Sequence, residues 1–197
     1  MNSSTDKNSN DTKNLKTVIV GESNIGKSCL LERMATDQFF DALTTIGVAY
    51  QVIPFTSNVN IRAWDTAGTE RFAAVMKLYL RGVDCALVCF SIDNLDSFRA
   101  VQKHVESIRD VNDYNVPIVL IVTKTDLPGK IAIDQIHNTA KELMIDGPIF
   151  TSAKTDTKKD LCDRMQSFFL KVNKMQRVES TSIAPMCITR ESNNCCY

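Results

Sequence analysis

Eight residues narrow the possible architectures more than anything else in the chain: Gly21-Glu22-Ser23-Asn24-Ile25-Gly26-Lys27-Ser28 matches G-x-x-x-x-G-K-[ST] in full. They directly follow Thr17-Val18-Ile19-Val20, an apolar run that reads as a buried strand. A loop that wraps a polyphosphate needs glycines, so that the backbone can come close. It also needs successive N–H groups and a helix start that present partial positive charge. In that reading Lys27 reaches the outer phosphates and the Ser28 hydroxyl serves a magnesium ion. A plain glycine turn that happens to contain Lys-Ser is the competing reading, and the strand-to-helix position of the full pattern counts against it. The loop alone does not select a nucleotide.

Strand and helix signals alternate around this loop. Residues 1–14 are mostly Ser, Thr, Asn, Asp and Lys, too polar to offset the entropy of ordering, and are expected to be disordered. Leu15–Val20 is the expected first strand, and Leu30, Leu31 and Met34 at helical spacing predict a helix that ends near Thr36 and Asp37. Residues 41–47 read as a loop. Val48–Phe55 and Val59–Trp64 read as an antiparallel hairpin about Thr56-Ser57-Asn58, with Pro54 marking the first arm as an edge strand. Cys85–Phe90, Val116–Val122 and Ile149-Phe150 lack alternation, as strands covered on both faces do. Three helical stripes lie among them: Phe98, Val101, Val105, Ile108; then Ile133, Ile136, Ala140, Leu143; then Leu161, Met165, Phe168, Phe169, Val172. The alternation predicts an α/β fold, a mostly parallel six-stranded sheet with helices on both faces, whose ligands bind at the carboxyl ends of the strands. One domain over 15–176 is expected, followed by a flexible tail over 177–197.

Composition removes several classes. Lys plus Arg and Asp plus Glu both number 23, so the net charge is zero and broad attraction to nucleic acid is not expected. No apolar run approaches the roughly 20 residues that span a bilayer, and the start of the chain lacks a signal-peptide core. A cytosolic origin is the expectation. Seven cysteines form no metal-like C-x-x-C spacing, and Cys85 and Cys89 fall in an apolar strand, so disulfides are not expected.

Two further motifs carry chemistry. In Trp64-Asp65-Thr66-Ala67-Gly68 an aspartate at a strand end can hold magnesium through water, and Gly68 can offer its N–H to a terminal phosphate. Alone, D-x-x-G is a common turn; downstream of a full phosphate loop it reads as part of one site. Thr45 offers a second hydroxyl from a loop that loss of the terminal phosphate would free. Thr123-Lys124-Thr125-Asp126 and Thr151-Ser152-Ala153-Lys154 follow the later strands. A carboxylate such as Asp126 can accept two hydrogen bonds from the N1 and N2 edge of guanine, which adenine cannot offer, while the Lys124 stem can lie along the base.

With these elements in order, the chain resembles a small GTPase of the Ras superfamily over roughly residues 15–176. The resemblance implies a P-loop NTPase that binds GTP or GDP with Mg2+. Ser23, Asn24, Ile25, Gly26, Lys27, Ser28 and Cys29 would surround the phosphates, with Thr45 and Gly68 at the terminal one. Phe39, Thr123, Lys124, Asp126, Ser152, Ala153 and Lys154 would hold the base. Ser28, Thr45 and Asp65 would bind the metal, and Lys27, Thr45 and the position of Thr69 would serve hydrolysis. Ile46-Gly47-Val48, Glu70-Arg71-Phe72 and Tyr79-Leu80-Arg81-Gly82 resemble Rab segments. That likeness implies a monomeric GTP/GDP switch in vesicle trafficking, with an effector surface at Ile46, Gly47, Tyr50, Trp64 and Tyr79. It also implies an exchange factor, a GTPase-activating protein, effectors, and prenyl-delivery and membrane-extraction factors as partners.

The departures are as informative. Thr69 stands where the family usually has a water-positioning Gln, and a short β-branched side chain falls short of that role, so slow hydrolysis is expected. Thr123 stands where the family usually has Asn, which is expected to weaken one tie to the base or to the phosphate loop. The segment between Ser28 and Thr45 is about one residue shorter than is common in Rabs. Cys195 and Cys196 sit on a polar tail outside a C-a-a-X context, and the pair resembles a doubly geranylgeranylated Rab end. Two lipid chains anchor stably where one does not, so the cytoplasmic face of an intracellular membrane, with a cytosolic pool, is the expected location. His104 and His137 are expected away from the phosphate loop, structural or solvated. Two functional readings follow: a cycling GTPase, or a membrane adaptor that hardly hydrolyses GTP. A P-loop kinase using ATP is disfavoured by Asp126 and by the lack of an arginine-rich lid.

Overall fold

β1 (Lys13–Val20), β2 (Val48–Thr56), β3 (Val59–Thr66), β4 (Cys85–Ser91), β5 (Ile118–Thr123) and β6 (Asp146–Phe150) form one sheet in the order β2-β3-β1-β4-β5-β6. Five helices accompany them among the described residues: α1 (Lys27–Thr36), α2 (Leu95–Arg99), α3 (Val101–Arg109), α4 (Ile133–Glu142) and α5 (Lys158–Ser182). This computed structural model describes residues 12–40, 47–66, 78–112 and 115–182, with side chains through 176.

Only the β2–β3 pair is antiparallel; β1 pairs in parallel with β3 and β4, and β5 with β4 and β6. β2 is an edge strand, as Pro54 requires, and its register slips between Pro54 and Thr56. The central strands are buried along their whole length because successive side chains enter two different cores. Leu87 and Cys89 pack with Leu15, Ile19 and Ile121 against Leu30 and Met34 of α1 and Leu161, Met165 and Phe169 of α5. Ala86, Val88 and Phe90 pack with Val18 and Val122 against Val101, Val105 and Ile108 of α3 and Ile136 and Ala140 of α4. Each large side chain buried in this way contributes about 1.5–3 kcal/mol. The fold is the α/β P-loop NTPase arrangement, with helices on both faces of a mostly parallel sheet.

Boundaries differ from the sequence expectation in instructive ways. β1 begins at Lys13 rather than Leu15, because Lys13 and Asn14 extend the ladder to Val59 and Asn60 and the Lys13 N–H donates to Asn58 O at 2.9 Å. Pairing with a neighbour thus orders polar residues that composition assigns to a disordered start. β5 begins at Ile118 rather than Val116, and β6 takes in Asp146, Gly147 and Pro148 ahead of Ile149. α5 continues to Ser182, six residues beyond the expected end at 176, through a stretch with no Gly or Pro before Pro185. The stripe from Phe98 to Ile108 is carried by two helices separated at Ala100, and Asn94 caps the first by accepting from the Ser97 N–H at 3.0 Å. Ile133, assigned to an apolar stripe, is 60% exposed; it opens α4 on the side away from the sheet core.

Candidate functional site

The end of β1 turns sharply into α1 because of backbone that only certain residues can adopt. Gly21 has φ 145°, and a Cβ there would lie 2.3 Å from the Cys89 carbonyl oxygen of β4. No side chain fits, so the loop can cross the sheet edge only as glycine. Gly26, at φ 95°, is the N-cap of α1, which no side chain caps, so the helix start keeps its first-turn N–H groups for other partners. Asn24 is also left-handed, at φ 60°. The Lys27 ammonium, 6% exposed, lies back across the loop and donates to Gly21 O at 2.9 Å and Glu22 O at 2.7 Å. Burial holds it below the usual lysine range, against the opposing influence of Cys89, Asp65 and Glu22.

The end of β3 meets this loop. Ser28 Oγ donates directly to Asp65 Oδ2, and Asp65 is buried. A hydroxyl and a carboxylate at the start of a helix are hard oxygen donors of the kind magnesium takes, so this part of the site fits the metal that the sequence implies. The neighbouring thiols of Cys85 and Cys89 are each pushed up by burial to about 12, which makes them packing groups and not nucleophiles.

The ends of β5 and β6 build the other half. Thr123 Oγ1 lies 2.5 Å from Ile25 O and 2.9 Å from Phe90 O, so its single hydroxyl proton serves the phosphate loop directly. The loop side of the tie that the sequence expectation concerns is thus made by Thr123: a threonine at a strand end is close enough to reach Ile25 O without a longer amide. Lys124, at φ 56°, extends its stem past Gly26 and donates from Nζ to Asn24 O at 2.7 Å. Asp126 Oδ1 accepts from Ser152 Oγ at 2.6 Å, and the Thr125 N–H donates to Thr151 O at 3.2 Å, which joins the two loops. Asp156 in turn accepts from the Ser152 N–H at 2.7 Å and is held by Arg164 at 2.7 Å. Between these groups lies a cavity of about 310 Å³, lined by Asn24, Gly26, Cys29, Phe39, Thr123, Lys124, Asp126, Ala153 and Lys154 among others.

Residues from four separate strand ends, expected to act together, therefore meet around one loop and one cavity. Of the expected effector residues, Tyr50 is half-exposed and its ring stands 4.9 Å from Trp64, which carries Lys16 Nζ 5.5 Å from its centroid. Gly47, at φ 82°, directly precedes β2, and Tyr79 is half-buried in a helical turn over 78–80. Thr45, Ile46, Gly68, Thr69, Cys195 and Cys196 lie outside the described residues.

Two features escaped the sequence reading. His104 is not remote: its Nε2 is 3.2 Å from Glu22 Oε1, because α3 packs its inner face beside the loop. Arg33, on the polar face of α1, donates from Nε to Ala153 O at 2.8 Å and from Nη2 to Lys154 O at 3.1 Å. An arginine after an apolar helix stripe signals only a solvated face in sequence; the fold folds that face onto the loop after β6. Among the described residues, no helix is long and apolar enough to cross a membrane.

A model of the Ras family matches residues 16–174, four-fifths of a chain whose strand order, phosphate loop and base loops have just been described. The chain belongs to the Ras family. Among curated relatives of this Ras-family chain, the Rab-5B ras-related protein of Dictyostelium discoideum is 31% identical over 146 residues, covering 72% of this chain and 68% of the relative. The Ras-related protein RABA4b of Arabidopsis thaliana is 36% identical over 122 residues, covering 60% and 54%. Rab-24 of Dictyostelium discoideum is 37% identical over 116 residues, covering 57% of each. The match thus spans little more than half the length of the latter two relatives. These relatives place the Ras-family chain with the Rab-related small GTPases.

Proposed function

We propose that this chain is a Rab-like GTP/GDP switch in membrane trafficking, selective for guanine, with intrinsically slow hydrolysis. The observation that carries the reading is convergence at one sheet edge. A buried lysine on a strained glycine loop, the Ser28–Asp65 pair, and the Asp126–Ser152 pair beside an open cavity all meet there. Lys27 is already desolvated, so a polyphosphate that replaces the Gly21 and Glu22 carbonyls as its partner meets an ammonium with little water left to lose. The uncapped start of α1 adds its N–H groups to the same charge. Magnesium, held by Ser28 and Asp65 with Thr45, would neutralise phosphate charge. Asp126 keeps a free oxygen for the guanine edge while Ser152 fixes the other. Phe39, 38% exposed on the cavity wall, covers the base.

Thr69 supports a second reading, a largely GTP-bound adaptor, because threonine is a poor substitute for a water-orienting glutamine. The same reading assigns residues 15–176 to the nucleotide domain. It assigns Cys195 and Cys196 to double lipidation on a cytoplasmic membrane face, and the Tyr50–Trp64 surface to effectors. Regulators that load GTP and end the signal complete it.

Single-turnover hydrolysis of GTP with magnesium, run beside Thr69→Gln and Lys27→Ala, separates these readings. Wild type is expected to bind GTP in preference to ATP, to hydrolyse it at least about tenfold more slowly than Thr69→Gln, and to lose binding in Lys27→Ala. Equal rates for wild type and Thr69→Gln refute the slow-hydrolysis part; equal binding of ATP refutes the guanine assignment.

A further inference from the structure

We propose that Arg33 is a positioning residue that sets how long a guanine nucleotide stays bound, by holding both walls of the base cavity at once. The inference rests on the guanine reading of that cavity. The Arg33 side chain is 16% exposed, and its guanidinium donates to three backbone carbonyls, with the Asp37 carboxylate 3.7 Å from Nη1. Nε and Nη2 donate to Ala153 O and Lys154 O, the two residues that line one wall. Nη1 donates to Asp37 O at 2.5 Å, two residues before Phe39 on the opposite wall. Asp37, left-handed at φ 61°, accepts from the Lys158 N–H at 2.6 Å with the same Oδ1 that lies 3.7 Å from Arg33 Nη1. Lys158 Nζ returns to Ala35 O at 2.8 Å.

The C-terminal turn of α1 is therefore fastened to the middle of the loop over 151–158 and to its last residue, and among the described residues Arg33 is the only side chain of that turn that reaches the middle of the loop in these bonds. The arrangement needs a planar fork. Three directions are served by three nitrogens of one rigid group, which a lysine ammonium on a flexible stem cannot reproduce. Loss of the fork leaves the Ala153 and Lys154 carbonyls without that partner, and frees the loop to move away from Phe39. Magnesium and phosphate contacts lie at the other end of the site, so the effect belongs to the base side alone.

The test is release of fluorescent GDP from the full chain, wild type beside Arg33→Lys and Arg33→Ala, with magnesium and again with excess chelator. Arg33→Ala is expected to release GDP about tenfold faster, and Arg33→Lys at least about threefold faster. The fold-change should be the same with and without chelator, whereas a generally loosened structure would add to the loss of magnesium. Release within twofold of wild type by both variants, or an acceleration that disappears on chelation, overturns the proposal. Arg33→Lys keeps charge and bulk, so it decides the matter if Arg33→Ala does not fold. A wild type that binds no GDP overturns the guanine reading and this inference together; a wild type that binds GDP, with unaffected variants, overturns this inference only.

Discussion

The phosphate half and the base half of the site are built by different means. The phosphate half is mainly local: Gly21, Asn24 and Gly26 turn at positive φ and Lys27 bonds to carbonyls within six residues of itself, while Thr123 and Lys124 brace the loop at Ile25 O and Asn24 O. The base half is assembled from afar. Thr123 reaches Ile25 across 98 residues, Arg33 reaches Ala153 across 120, and Asp126 reaches Ser152 across 26. A site made by short-range backbone geometry fails at one residue, whereas one made by long-range ties loosens by degrees. Substitutions should respect that difference.

The largest effect is expected at Gly21. An alanine there places Cβ 2.3 Å from a backbone oxygen of β4 at a φ of 145°, and neither atom is the end of a flexible side chain. Gly21→Ala should cost about 3 kcal/mol or more in urea unfolding. A cost below about 1 kcal/mol would mean that the loop shifts freely and that its local geometry is not what shapes it. Thr123→Val is the sharper probe of the other half, since it keeps volume at a buried site and removes only the hydroxyl that serves Ile25 O and Phe90 O. A loss of about 1–2 kcal/mol in the same measurement is expected. No loss at all would show that the long-range tie contributes nothing.

The smallest effect concerns pH, where a distant helix touches the local half. Burial holds His104 below the usual imidazole range; Glu22 opposes this, and Lys27 and Lys103 add to it. The unfolded chain therefore takes up that proton more readily than the folded one. Stability should fall as the pH drops below about 6.5, and rise again as the pH is raised. Urea unfolding at a series of pH values should give a flatter curve for His104→Gln. An unchanged slope would assign the acid sensitivity to other groups.

Much of this was legible in the residues. The phosphate loop could be read because its pattern and its shape are the same thing: glycines where side chains cannot go. The two-sided burial of β4 and β5 could be read because an unbroken apolar run has no polar face to turn outward. Arg33 could not, because an arginine on a helix surface is indistinguishable in sequence from any solvated cation until a loop 120 residues later is laid against it. His104 was misplaced for the same reason, since spacing gives the face of α3 but not its neighbour. Nor could the true start of β1 or the length of α5, which depend on a paired strand and on continued hydrogen bonding more than on hydrophobic pattern.

The sequence by itself determined the order of strands and helices and the phosphate loop, because those follow from local sterics and from the periodicity of burial. Tertiary structure alone decided which backbone carbonyls Arg33 and Thr123 hold, and that α3 brings a histidine to the loop. Such contacts join segments far apart in the chain, and their partners are main-chain atoms that every residue possesses, so no pattern of side chains announces them.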